Sequence, residues 1–203
     1  MSAGQQIKSF STPGGEPRGL AFDGKYLWHS DDIGSTIYQL DLNGKVINYF
    51  INPNVGIAGL AFDGKNLWLS ENMYVFISMY DRLGNMIQTW STGQEAIYDL
   101  AFDGKYLWAA TGEGGTLLKF DLDGNIIKFY NFGALDIQGL AFDGKNLWMA
   151  ESVTNKIYQL DRNGKIISSF NAPSTEPRGL AFDGKYLWLA DSNTDKIYCL
   201  AVD

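Results

Sequence analysis

Carboxylates recur at one place in a regular series: Asp31, Glu71, Glu151 and Asp191 stand 40 residues, or multiples of 40, apart, with Thr111 filling the remaining place. Gathered in one ring, four carboxylates could coordinate a divalent cation such as calcium, or hold a polyol. The alternative is structural: each carboxylate caps its own loop by accepting backbone N–H bonds, and recurs because the unit recurs. A second series, Arg18, Ala58, Tyr98, Gln138 and Arg178, shares a position but no chemistry, and Asp99 follows it where the other copies have glycine. A need of the fold would repeat. Arg18, Tyr98, Asp99, Gln138 and Arg178 are therefore the better candidates for ligand contact, with divergence after duplication as the other explanation.

Catalytic groups are sparse. His29 is the single histidine and takes a place held by Leu69, Ala109, Met149 and Leu189, which marks it as a packing residue. Ser30 and Asp31 adjoin it, but neighbouring residues of a strand point to opposite faces, so no Ser-His-Asp triad forms this way. Cys199 is the single cysteine, which excludes an internal disulfide, and it aligns with Gln39, Met79, Lys119 and Gln159 rather than with other thiols. The acidic rim could supply a carboxylate pair of the kind used in glycoside hydrolysis, yet that chemistry depends on a separation that no sequence specifies. No residue is assigned a catalytic role.

These positions belong to one repeating unit. The phrase LAFDGK, then Tyr or Asn, then LW begins at Leu20, Leu60, Leu100, Leu140 and Leu180, and a period of 40 built from short strands is the pattern of a β-propeller. In residues 19–50 an apolar run ends in Asp-Gly and YLWHS resumes at once, a hairpin signal. TIYQLD, the turn Leu42-Asn43-Gly44 and KVINYF make the second hairpin. Each unit thus reads as a four-stranded antiparallel blade. Leu20, Phe22, Leu27, Trp28 and their repeats are the expected core between blades; each Trp would bury about 150–250 Å², worth roughly 4–6 kcal/mol. The small residue at Ser30, Ser70, Ala110, Ala150 and Ala190 implies a tight contact. Asp23 and Lys25, with their repeats, read as turn-forming or solvated residues.

Strand count predicts how the ring closes. The fifth unit supplies three strands and stops, while QIKSF at residues 6–10 stands one period before KVINYF, with Phe10 in register with Phe50, Trp90, Tyr130 and Phe170. The expected fold is all-β: a five-bladed propeller forming one domain over 1–203, with blades at about 19–50, 59–90, 99–130, 139–170, and 179–203 plus 6–10. The N-terminal strand completes the last blade and leaves no open radial edge, which predicts a monomer.

Strand parity puts the variable connections on one face, where residues 11–19 and their counterparts differ from copy to copy. Twelve acids fall there: Glu16, Asp31, Asp32, Glu71, Glu95, Asp99, Glu113, Asp136, Glu151, Glu176, Asp191 and Asp195. Arg18, Arg178, Lys156 and Lys196 oppose them, giving this rim a formal charge of −8. An electronegative rim repels phosphate, so neither nucleic acid nor an anionic membrane surface is an expected partner. The chain contains neither an apolar run of membrane-spanning length nor a secretory leader pattern, so a soluble protein is expected.

With its unit written PRGLAFDGKYLWLADSNTDKIY and LDxNGKIISSF, the chain resembles the NHL and streptogramin lyase-like β-propellers over all five units. The resemblance implies the fold. It also implies a family in which six or seven blades are common, and in whose lyases a catalytic histidine works with acidic and metal-binding partners; His29 does not occupy such a setting. The expected function is therefore non-enzymatic: binding or scaffolding, with a small neutral or cationic ligand, a glycan or a peptide recognised at the variable rim and channel mouth. The alternatives are a metal-assisted hydrolase or lyase using rim carboxylates, and a repeat protein without a natural ligand. Five copies free of insertions are the trace left by recent amplification or by design.

Overall fold

The computed structural model describes every residue except Val55, Asn72, Tyr74, Gln94, Glu95, Glu113 and Asp203, so two of the rim acids, Glu95 and Glu113, lie outside the described residues. Among the described residues, twenty strands form five four-stranded sheets. Blade 1 is β2 (Pro17–Phe22), β3 (Leu27–Asp31), β4 (Thr36–Leu40) and β5 (Val46–Ile51). Blade 2 is β6 (Ile57–Phe62), β7 (Leu67–Glu71), β8 (Phe76–Tyr80) and β9 (Met86–Ser91). Blade 3 is β10 (Asp99–Phe102), β11 (Leu107–Ala110), β12 (Thr116–Phe120) and β13 (Ile126–Asn131). Blade 4 is β14 (Ile137–Phe142), β15 (Leu147–Glu151), β16 (Lys156–Leu160) and β17 (Ile166–Asn171). Blade 5 joins β18 (Pro177–Phe182), β19 (Leu187–Asp191) and β20 (Lys196–Leu200) to β1 (Gln6–Ser11), in the order β18-β19-β20-β1.

The two ends of the chain meet as the strand count requires. Ser11 pairs with Lys196 and Gln6 with Leu200, antiparallel. The closure goes further than strand pairing. In blade 1 the outer turn is held by Asp41 N donating to Lys45 O at 2.9 Å and Gly44 N donating to Asp41 O at 3.0 Å. Blade 5 rebuilds that turn from separate ends: Ala201 N donates to Gln5 O and Gly4 N to Ala201 O, both at 2.9 Å. Gly4 has φ 80°, like Gly44 at 87°, and a Cβ on either would strike an aromatic ring of the preceding blade, Phe170 or Phe10.

Blades pack through five equivalent apolar seams. Between blades 1 and 2, Trp28 and Ile37 meet Ile57, Leu60, Leu67 and Tyr80. All five repeated tryptophans, Trp28 through Trp188, are buried. Phe22 and its repeats are only half-buried: with the Leu-Ala pairs before them they line a small axial cavity of about 70 Å³. Asp23 does more than shape a turn. Its Oδ1 accepts Lys25 N and Tyr26 N at 2.9 and 2.7 Å, and its Oδ2 accepts the Trp28 indole N–H at 2.9 Å. The same indole bond recurs in the other four blades at 2.8–2.9 Å.

Candidate functional site

The four periodic carboxylates all end their second strands, are buried, and serve their own blades. Asp31 accepts Glu16 N at 3.0 Å, and Asp191 accepts Thr194 N and Oγ1 at 3.0 and 2.9 Å. Glu151 accepts Val153 N and Thr154 N at 2.6 and 2.9 Å, while Glu71 accepts the Asn54 amide at 3.0 Å on both oxygens. The structure does not gather them: among the described residues no three His, Cys, Asp or Glu side chains converge as a metal site. One oxygen of Asp31 and one of Asp191 lack a hydrogen-bond partner among the described residues. Burial raises the Asp31 carboxyl above its ordinary range, against the backbone N–H bonds that lower it.

The channel-mouth series divides differently. Arg18 and Arg178, from adjacent blades, line one cavity of about 180 Å³ with Gly15, Glu16, Glu176 and Ser192. Arg18 reaches Glu16 at 3.4 Å and Asp32 at 3.3 Å. Arg178 donates from Nε to Ser192 Oγ at 3.0 Å and from NH1 to Gln138 Oε1 at 2.6 Å, with Glu176 at 3.6 Å. Gln138 in turn donates to Asp136, which also accepts from Ser152, both at 2.6 Å. Arg178 and Gln138 therefore form one polar chain over blades 5 and 4, and Arg18 of blade 1 faces the same cavity as Arg178. Burial and then the nearby Arg18 lower the affinity of Arg178 for its proton. Tyr98 stands apart on blade 3, its ring covering Gly112, where a Cβ would come within 2.6 Å of it.

Asp99 is brought to the axis itself. It is wholly buried, and its carboxylate accepts Leu60 N at 3.1 Å, Leu140 N at 2.7 Å and Leu180 N at 3.3 Å. A side chain of blade 3 that touches blades 2, 4 and 5 together must lie at the centre of the ring, so it floors the channel mouth.

Burial also revises the rim's charge. Asp31, Glu71, Asp99, Glu151 and Asp191 are inside, so the described acids left at this surface are Glu16, Asp32, Asp136, Glu176 and Asp195, set against the same four cations. A count of letters treats interior and surface carboxylates alike. Ser192 was not distinguishable in sequence, whereas EPRG at both 16–19 and 176–179 carried a signal for the paired arginines. His29 is fully buried on the face packed against blade 5 and stacks on Tyr38; burial lowers its pKa to about 4. The Cys199 thiol is pushed up to about 11 by burial, which removes it as a nucleophile.

No protein-family model matches the sequence, and no curated protein matches it. Solved structures do. The glutaminyl cyclase of Myxococcus xanthus shares 15% identity at a TM-score of 0.85, over 98% of this chain and 96% of that one. A virginiamycin B lyase from Staphylococcus aureus shares 16% identity at a TM-score of 0.62, over 97% and 99%. A streptogramin B lyase shares 22% at a TM-score of 0.58; it aligns with 92% of this chain, which spans 65% of that protein's length. The architecture is a five-bladed β-propeller, and the propeller fold is what these solved structures share with it. At such identities the likeness is one of fold, and activity has to be argued from this chain's own residues. Among the described residues no helix is long and apolar enough to cross a membrane.

Proposed function

We propose that this propeller is a non-enzymatic binding module, monomeric, whose ligand sits at the channel mouth between blades 1 and 5. One observation carries the reading: two arginines at a position that varies from blade to blade share a cavity of about 180 Å³, each held in place by neighbours. Glu16, Asp32 and Glu176 already offset the guanidinium charges, so the cavity presents donors and acceptors side by side rather than a bare cationic pocket. Such a lining suits a small neutral or zwitterionic ligand, a sugar unit or a short peptide. Fixed polar groups on rigid strands need little reordering when a ligand binds.

Glycan and peptide arrays with the wild-type protein, followed by calorimetry on hits, test this. Arg178→Ala, which cuts the links to Gln138 and Ser192, is expected to weaken binding at least 10-fold, about 1.4 kcal/mol, while the free protein still unfolds cooperatively with a midpoint only a few degrees lower. Affinity that survives Arg178→Ala and Arg18→Ala together removes this cavity as the site. Turnover of a bound ligand would replace the reading with an enzymatic one.

A further inference from the structure

The innermost strand of each blade is an unpaired sheet edge, so alternate backbone N–H groups face the axis without a strand partner. Leu60, Leu140 and Leu180 show this directly, since all three donate to Asp99 from different blades, and Leu100 N–H bears on the same carboxylate. Leu20 holds the same register in blade 1, opposite His29 as Leu60 is opposite Leu69. Four amides converging in a buried space, with a fifth in equivalent register, form a concentration of positive partial charge. Nothing cationic shares it: among the described residues no Lys, Arg or His is paired with Asp99.

The space admits one occupant. Glycine stands at the Asp99 position in the other four blades, and a Cβ on Gly59 would collide with the Asp99 backbone. On Gly19 it would come within 2.5 Å of Leu60 N, and on Gly139 or Gly179 it would strike a backbone carbonyl of the next blade. Four glycines keep the ring narrow, and the single side chain inside it is an acid.

We infer that the axial amide ring is an anion-binding site whose resident ligand is the Asp99 carboxylate, and that without this side chain it takes a small free carboxylate such as formate. Burial holds the Asp99 carboxyl well above its ordinary range, with the backbone N–H groups of Leu140, Leu100, Leu180 and Leu60 opposing that rise. Both oxygens are spent as acceptors, which favours the ionised form. The bonds tie four blades to one group, so Asp99 acts as a central lock as well as a floor.

The test compares wild type, Asp99→Gly and the isosteric Asp99→Asn at pH 8 in sodium formate and in sodium gluconate, whose anion is too large to enter. In gluconate, Asp99→Gly and Asp99→Asn are expected to melt at least about 5 °C below wild type. Formate should restore Asp99→Gly saturably, move the amide resonances of Leu60, Leu140 and Leu180, and leave wild type and Asp99→Asn unaffected. Equal effects of the two salts on Asp99→Gly, a midpoint for Asp99→Asn equal to that of wild type, or a carbon-13 titration showing Asp99 still protonated at pH 8 would each overturn the assignment. If Asp99→Gly folds in neither salt, the Asp99→Asn midpoint and the titration decide.

Discussion

At Asp103 one carboxylate holds a turn, an indole and a lysine. It accepts Lys105 N and Tyr106 N at 3.0 and 2.8 Å and the Trp108 N–H at 2.8 Å, and pairs with Lys119 at 3.2 Å. Burial raises its carboxyl, but these partners prevail and leave it below the ordinary range. Its contribution is present above the unfolded-state value and is lost as pH falls through the lowered one. Asp103→Asn keeps the shape and turns an N–H toward a donor, so urea denaturation at pH 7 should show a loss of about 2 kcal/mol. His29 has the opposite origin but the same sign. Its pKa of about 4 lies below the ordinary 6.5, so between these values the unfolded chain takes up a proton that the buried ring does not. Stability then falls on acidification through that window, by about 3 kcal/mol in full. In His29→Leu, carrying the residue found at Leu69 and Leu189, that loss disappears; the variant's advantage over wild type should be about 3 kcal/mol larger at pH 4 than at pH 7.5. Sequence comparison of the repeats marked His29 as a packing residue because four apolar partners share its place. It did not reveal the indole bond of Asp103, which joins residues five apart across a hairpin.

Each blade spends one left-handed residue just before its third strand. Ser35, Val75, Asn155 and Asp195 have φ of 49°, 52°, 54° and 51°, and Gly115 has 56°. The carbonyl at this place accepts an N–H from the end of the fourth strand in every blade, from Asn52, Thr92, Phe132, Ala172 and Thr12, at 2.8–2.9 Å. The bond fixes the conformation whatever the residue, and a β-branched side chain suits it least. Val75→Asn should raise stability by about 1 kcal/mol, seen as a rise of roughly 2–4 °C in melting temperature. Gly115→Val should lower it by more, since its Cβ would sit 2.7 Å from Gly133 O. The hairpins were legible because Asp-Gly and Asn-Gly announce their turns; this loop was not, because five different residue types hide one backbone conformation.

For the whole molecule, closure rests on an N-terminal segment that supplies both an outer strand and half of a turn. Removing residues 1–11 strips Lys196–Leu200 of its partner and exposes Trp188, on which Phe10 packs at 6.0 Å. The truncated chain is expected to lose cooperative unfolding or to self-associate through the bared strand, measured by calorimetry and light scattering. A peptide of residues 1–11 added in excess should reverse this.

Blade number, strand order and ring closure could be read from the sequence because a strict period forces each strand to satisfy the same local pattern five times. The seams followed as well, since their tryptophans recur. The chemistry of the mouth could not be read this way. Whether a carboxylate caps a loop, fills the axis or meets an arginine depends on which blades bring their edges together, and that is set by the curvature of the closed ring. Asp99 shows the difference most plainly. In sequence it is one residue replacing a glycine; its role arises because Leu60, Leu140 and Leu180, as many as 81 positions away, aim their amides at the same point.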